Sequence, residues 1–193
     1  MRHNSVTSDA DAVIALGANL ASDAGPPEAT LRAALEFLGD SGLHVRVVSP
    51  FYATPCFPAG AGPDYVNAAA ILAGGDGPQQ VLETLHAAEA AFGRERLQRW
   101  GSRVLDLDLI AMGDAVLPDS ETHETWVKLP ASEQGQRAPD QLILPHPRLQ
   151  DRAFVLVPLL DVAPDWRHPV TGITVREMVA KLPEADRVAV RPL

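Results

Sequence analysis

The run Val104–Met112, VLDLDLIAM, alternates apolar and acidic residues with a period of two before it closes on an apolar tail. That pattern reads as a β-strand. Successive strand side chains point to opposite faces, so Leu105, Leu107 and Leu109 share one face and Asp106 and Asp108 the other. A fold that contains this strand must give it an apolar layer on one side and tolerate charge on the other. The Cβ atoms of the two aspartates are about 6–7 Å apart, two rises of roughly 3.3 Å. At that spacing, in a partly desolvated place, two carboxylates raise each other's pKa or require a cation.

Candidate cations for an anionic ligand stand immediately upstream. The segment Gly93–Arg103, GRERLQRWGSR, holds Arg94, Arg96, Arg99 and Arg103 against the single acid Glu95. Arginine is suited to bidentate phosphate contacts. A solvated charged loop would have the same composition, but arginines followed directly by paired carboxylates are the equipment of phosphoryl transfer, in which Mg²⁺ bridges phosphate oxygens. The overall charge of −9 argues against a nucleic-acid surface, so an anionic ligand must be held by such a local cluster.

The surrounding pattern predicts a βαββαβ order. Ala12–Leu16 reads as a first strand ending at Gly17. The stretch PPEATLRAALEFLGDSG opens with Pro26 and Pro27, places Leu31, Leu35 and Leu38 on one side and closes at Gly39 and Gly42, which marks a helix. LHVRVVSPFYAT alternates as a second strand leading into the loop TPCFPAGAGPD, and YVNAAAIL is a third. Pro78–Phe92 is a second helix with Val81, Leu85, Ala88 and Phe92 as its apolar stripe, and VLDLDLIAM is the fourth strand. This is the order of a ferredoxin-like α+β sandwich. Glu89 borders the apolar stripe, where it can pair with Arg94 or Arg96 or face a ligand. Residues 113–141 read as a polar insertion with a short edge strand at TWVKL. The run after His146 is helix-like, GITVREMVAKL is an amphipathic helix, and VAVRPL a final strand.

At 193 residues, with 46% hydrophobic and 21% charged residues, the chain is expected to form one domain over 11–193 after a disordered extension at 1–10. The single cysteine, Cys56, fits a reducing cytoplasm, and no apolar run is long enough to span a membrane. Glycine-rich phosphate cradles are absent: neither G-x-x-x-x-G-K-[ST] nor G-x-G-x-x-G occurs. HETWV lacks the second histidine of H-E-x-x-H, and DLDLI lacks the remaining ligands of an EF-hand loop. Phosphate handling therefore falls to arginines and metal.

Taken in order, ALGANL, SPFYATP, PDYVNAA, EAAFGRERLQRWGSRVLDLDL and LPHPRLQDRAF resemble the 6-hydroxymethyl-7,8-dihydropterin pyrophosphokinase family over about Val13–Lys181. The resemblance implies transfer of the β,γ-pyrophosphoryl group of ATP to the hydroxymethyl of 6-hydroxymethyl-7,8-dihydropterin in folate synthesis, leaving AMP. It implies that Asp106 and Asp108 bind two Mg²⁺, that Arg94, Arg96 and Arg103 are catalytic-loop cations, and that His146 and Arg152 face the phosphates. By the same resemblance Leu109 lies beside adenine, Glu89 is on the nucleotide side, and Trp100 closes over the pterin. Thr54, Pro55, Tyr65, Asn67 and Phe154 match the pterin pocket, where aromatic faces and an amide suit a flat heteroaromatic ring. The chain departs from the pattern in three places. The Arg96–Trp100 spacing is one residue shorter, Pro147 stands where a tyrosine can follow the histidine, and the 113–141 connection is longer. A cytoplasmic monomer without nucleic-acid or membrane partners is expected. The alternative from another class is a non-catalytic ferredoxin-like nucleotide-binding module.

Overall fold

The structure is a computed structural model that describes residues 10–56, 62–93, 103–130, 133 and 137–193. Strand β1, Ala12–Ala18, is buried along its whole length, and helix α1, Pro27–Asp40, follows from Pro26 at its N-cap. The expected second strand is divided into β2, His44–Val48, and β3, Tyr52–Thr54. Pro50 has no N–H to offer the ladder, so pairing is interrupted there. Ser49 holds the gap: its N–H donates to the Ala69 carbonyl at 2.9 Å and its Oγ accepts the Ala69 N–H at 3.0 Å. Strand β4, Tyr65–Ala73, helix α2, Pro78–Ala91, and strand β5, Asp106–Met112, complete the βαββαβ unit.

All strand pairings are antiparallel, with β1 between β4 and β5, and with both β2 and β3 on the far side of β4. The α+β, ferredoxin-like expectation holds. A register shift between β1 and β5 pairs Val13 with Ala111 and Ile14 with Leu109, so Ile110 is skipped. The bulge keeps both Leu109 and Met112 in the core beneath α1 and α2, with Leu105, Leu107, Ile14 and Leu16. The opposite sheet face carries Val13, Ala15, Ala69, Ile71 and Ile110. These pack against helix α4, Ala153–Val162, and helix α5, Val175–Lys181.

Two expectations are corrected. TWVKL is not an edge strand: helix α3 runs Ser120–Val127 through Thr125, Trp126 and Val127. The β-branched residues suggest a strand, but Asp119 caps the helix by accepting the Thr122 N–H at 2.8 Å, and His123 gives it a buried anchor. VAVRPL is mostly not strand either. Val188 and Ala189 end helix α6, Glu184–Ala189, and only Arg191–Pro192 form β6, paired with β3. The first strand also extends past Gly17 to Ala18. The expected disorder of 1–10 lies almost wholly outside the described residues. Among the described residues no helix is long and apolar enough to cross a membrane.

Candidate active site

The sheet's register brings the polar residues together. Asp106 pairs with Gly17, Gly17 with Asn67, and Asn67 with Tyr52, so one row of four crosses four strands on a single face. Gly17 is favoured by close approach rather than by its backbone angle. A Cβ there would lie 3.0 Å from Asn67 Oδ1. Asn67 Nδ2 donates to Thr54 Oγ1 at 2.6 Å, and Thr54 pairs with Tyr65 across the strands. Thr54, Tyr65 and Asn67 therefore form one cluster beside Asp106. Pro55 follows at the exposed end of β3.

Each aspartate is held by an arginine. Arg103 Nη1 donates to Asp106 Oδ1, and Arg152 Nη1 donates to Asp108 Oδ2 at 3.0 Å. Burial pushes the Asp108 pKa up, but His146, when charged, and Arg152 and Arg103 lower it by more, so the carboxylate is held below its ordinary value. Burial works against the Arg103 guanidinium, and Asp106 more than restores it. The Asp108 carboxylate is thus kept ionised, and Asp106 has its own cation in Arg103, the partners that the sequence pattern requires. No cluster of three or more His, Cys, Asp or Glu occurs among the described residues. Two carboxylates are nonetheless what Mg²⁺ takes from a protein when phosphates and water complete its octahedron.

His146 follows the bulge in β5. Its N–H donates to the carbonyl of the skipped Ile110 at 2.8 Å, and its Nδ1 accepts the Arg148 N–H at 3.0 Å. Burial, and then Arg152, depress its pKa to about 4, so at neutral pH the ring is uncharged and carries its proton on Nε2. Phe154, 41% exposed, has the Arg152 guanidinium 5.7 Å from its ring centroid. A cavity of about 520 Å³ opens alongside, lined by the polar side chains of Asp108, His146, Arg148 and Arg152 and by Leu82, Leu107, Leu109 and Trp126.

Glu89 does something the sequence does not disclose. It is 2% exposed and its Oε1 accepts the Leu107 N–H at 2.9 Å. Leu107 is the residue between the two aspartates, so this carboxylate fixes the free edge of β5 at the point where both are displayed. Asn19, within ALGANL, has a second role that the motif does not disclose. Its Oδ1 accepts the Arg103 N–H at 2.7 Å and its Nδ2 donates to the Pro63 carbonyl at 3.1 Å. It ties the end of β1 to the segments leading into both β5 and β4. Arg94, Arg96 and Trp100, and so the expected pairing of Glu89 with Arg94 or Arg96, lie outside the described residues.

The family model for 7,8-dihydro-6-hydroxymethylpterin-pyrophosphokinase matches residues 13–164. The chain is 36% identical over 183 residues to a Synechocystis 2-amino-4-hydroxy-6-hydroxymethyldihydropteridine pyrophosphokinase, covering 94% of this chain and 80% of that protein. It is 37% identical to the Pseudomonas aeruginosa protein of the same name, covering 88% of this chain and 90% of the other. Its fold is similar to that of the crystal structure of Plasmodium falciparum HPPK-DHPS, with a TM-score of 0.59 at 14% identity over 89% of this chain. It spans 44% of that longer chain. The sequence motifs, the sheet topology and these matches agree that the chain belongs to the 7,8-dihydro-6-hydroxymethylpterin-pyrophosphokinase family.

Proposed function

We propose that the row built on Asp106 and Asp108 is where this chain carries out its family's reaction, with the cavity as the ATP side and the Thr54, Tyr65 and Asn67 cluster as the pterin side. The reaction moves the β,γ-pyrophosphoryl group of ATP to the hydroxymethyl oxygen of 6-hydroxymethyl-7,8-dihydropterin and releases AMP. The observation that carries this placement is the position of the two carboxylates. Both are on β5, with Asp106 in one cross-strand row with Asn67, across Gly17, and Asp108 on the wall of the cavity.

Asp106 and Asp108 would hold two Mg²⁺. When bound, these ions neutralise the phosphate oxygens and polarise the transferring group. The protein's own residues have separable tasks. Asn67 and Thr54 present an amide and a hydroxyl to the edge of a flat ring, while Tyr65, Phe154 and Trp100 provide faces for it and Pro55 bounds the pocket. Neutral His146 offers an N–H donor, and Arg152 a guanidinium, to the phosphates. Leu109 lies against the nucleoside. Arg94 and Arg96, with Arg103, supply positive charge to the transferring group. Glu89 holds the strand on which the carboxylates are displayed.

The test is direct. Incubated with ATP, Mg²⁺ and 6-hydroxymethyl-7,8-dihydropterin, the protein should release AMP in proportion to pterin diphosphate. Stoichiometric ADP would make it a single-phosphate kinase. No nucleotide product at all would leave the non-catalytic binding module.

A further inference from the structure

The insertion is long, and the family reaction leaves it without a task. It is nevertheless fastened to the segment that carries His146. Leu117 and Leu144 exchange backbone hydrogen bonds at 2.9 and 3.2 Å. His123 Nε2, on α3, donates to the Pro145 carbonyl at 2.9 Å. The His123 ring is 1% exposed and packs 5.7 Å from His168. One turn further along the same helix is Trp126, which lines the cavity together with residues of β5 and α2. The buried anchor at His123 thus sets the position of an indole in the wall of the cavity assigned to ATP.

The chemistry of the lining near the nucleoside-side residue Leu109 is specific. Leu82, Leu107, Leu109 and Leu142 offer only apolar contact, and Trp126 adds the one fused aromatic ring among the described residues of the cavity, the others being the imidazoles of His86 and His146. The Arg137 guanidinium lies 5.6 Å from the centroid of the indole. Arg137 is itself 57% exposed and held by Glu133 at 3.4 Å, so it is a loose cover. An exposed cation–π contact is weaker than a nucleobase stacked on an aromatic ring, and a base can displace it.

We propose that helix α3 of the insertion is part of the nucleotide site and that Trp126 is a specificity-determining residue, stacking on the purine of ATP. This rests on the assignment of the cavity as the ATP side. It makes the insertion a recognition element for a fused-ring base, with His123 as a positioning residue behind it.

Trp126→Ala should raise the KM for ATP about tenfold, equivalent to about 1.4 kcal/mol, with Trp126→Phe restoring most of it. Inhibition by inorganic tripolyphosphate, which has no base, should be unchanged. As a second readout that does not need turnover, a non-hydrolysable ATP analogue with Mg²⁺ should quench the fluorescence of the native protein more than that of Trp126→Phe. A KM for ATP within twofold of native in Trp126→Ala overturns the proposal. So does an equal loss of affinity for ATP and tripolyphosphate, or a quench identical in the native protein and Trp126→Phe. If the native protein binds the analogue with the expected quench but forms no AMP, the reaction assignment fails and the stacking site stands.

Discussion

The two ends of one sheet face have the same backbone and opposite chemistry. Under α4 and α5, β1, β4 and β5 show Val13, Ala15, Ala69, Ile71 and Ile110, all buried in a dry core. A few residues along the same strands the face shows Gly17, Asn67, Asp106 and Asp108, with Asn67 hydrogen-bonded and both aspartates held by arginines. The strands do not change; what covers them does. Where helices exclude water, a charge would cost too much, and apolar side chains stabilise by leaving water. Where the cover stops, charge is tolerated if cations and hydrogen bonds surround it, and a ligand can reach it. The site therefore lies along the margin of this cover, and Arg152, at the N-cap of α4, reaches from that margin to Asp108.

If this division is right, the two ends should fail differently. The largest effect is expected at the open end. Asp106→Ala or Asp108→Ala should lower turnover about a thousandfold, since metal-borne charge stabilisation is worth several kcal/mol. The melting temperature should move little, because each change removes one of two mutually repelling carboxylates together with its partly buried ion pair. Steady-state AMP release and a thermal melt on the same samples check both halves. Near-native turnover at ordinary Mg²⁺ would remove the aspartates from the metal site.

The covered end should show the reverse. Ile71 is fully buried in the second core, and Ile71→Ala should cost about 2–5 kcal/mol of stability through lost transfer energy and a residual cavity. Below its melting temperature the folded variant should keep its turnover. Urea unfolding and activity per folded molecule decide it, and a turnover loss comparable to that of the aspartate variants would mean that the two ends are mechanically one.

Much of this division can be read from the chain, and the unreadable part has a common physical origin. Period-two alternation places Asp106 and Asp108 on one face because strand geometry is local. The βαββαβ order follows from local patterns in the same way. By contrast, the Asp108–Arg152 pair joins residues 44 apart, and the Leu107 amide finds Glu89 across 18. Sequence spacing holds no information about which polar groups a tertiary contact will bring together. Helix α3 escapes for a different reason: Thr125, Trp126 and Val127 prefer strands intrinsically, while a cap at Asp119 and the burial of His123 decide otherwise.

A smaller effect is expected from acid, and it tests the cover rather than the open end. His168 is buried beside His123, and burial, followed by the nearness of that second ring, depresses its pKa from 6.5 to about 4. The unfolded chain takes up this proton below about pH 6.5 while the native state refuses it until about pH 4. Stability is therefore full above pH 6.5 and falls as pH drops through the window. Its limiting slope is about 1.36 kcal/mol per pH unit for one proton. Denaturation midpoints from pH 7 to 4 should fall more steeply for the native protein than for His168→Gln. Parallel slopes would place the acid sensitivity elsewhere.

The smallest expected effect lies at the seam between the two ends. Tyr52 belongs to the polar row, next to Asn67, but its hydroxyl donates to Asp161 Oδ2 at 2.6 Å, on the last turn of α4. One side chain therefore links the open row to the helix that covers the other end. Burial, then the hydrogen bond and charge of Asp161, raise its pKa to about 12. Because the folded value lies above the unfolded one, the associated stability is complete below about pH 10 and is lost as pH rises towards 12. Tyr52→Phe keeps the ring and removes the hydroxyl, leaving an exposed carboxylate that water can solvate, so the loss should be near the net value of one hydrogen bond to a charged group, about 1.5 kcal/mol. Urea unfolding at pH 7 should show a lower midpoint with an unchanged slope. The KM for the pterin should rise only slightly, since Asn67 keeps its bond to Thr54. A pterin KM raised as far as a direct Asn67→Ala change raises it would show that the seam transmits the helix's position into the pocket, and that the two ends are coupled through Tyr52.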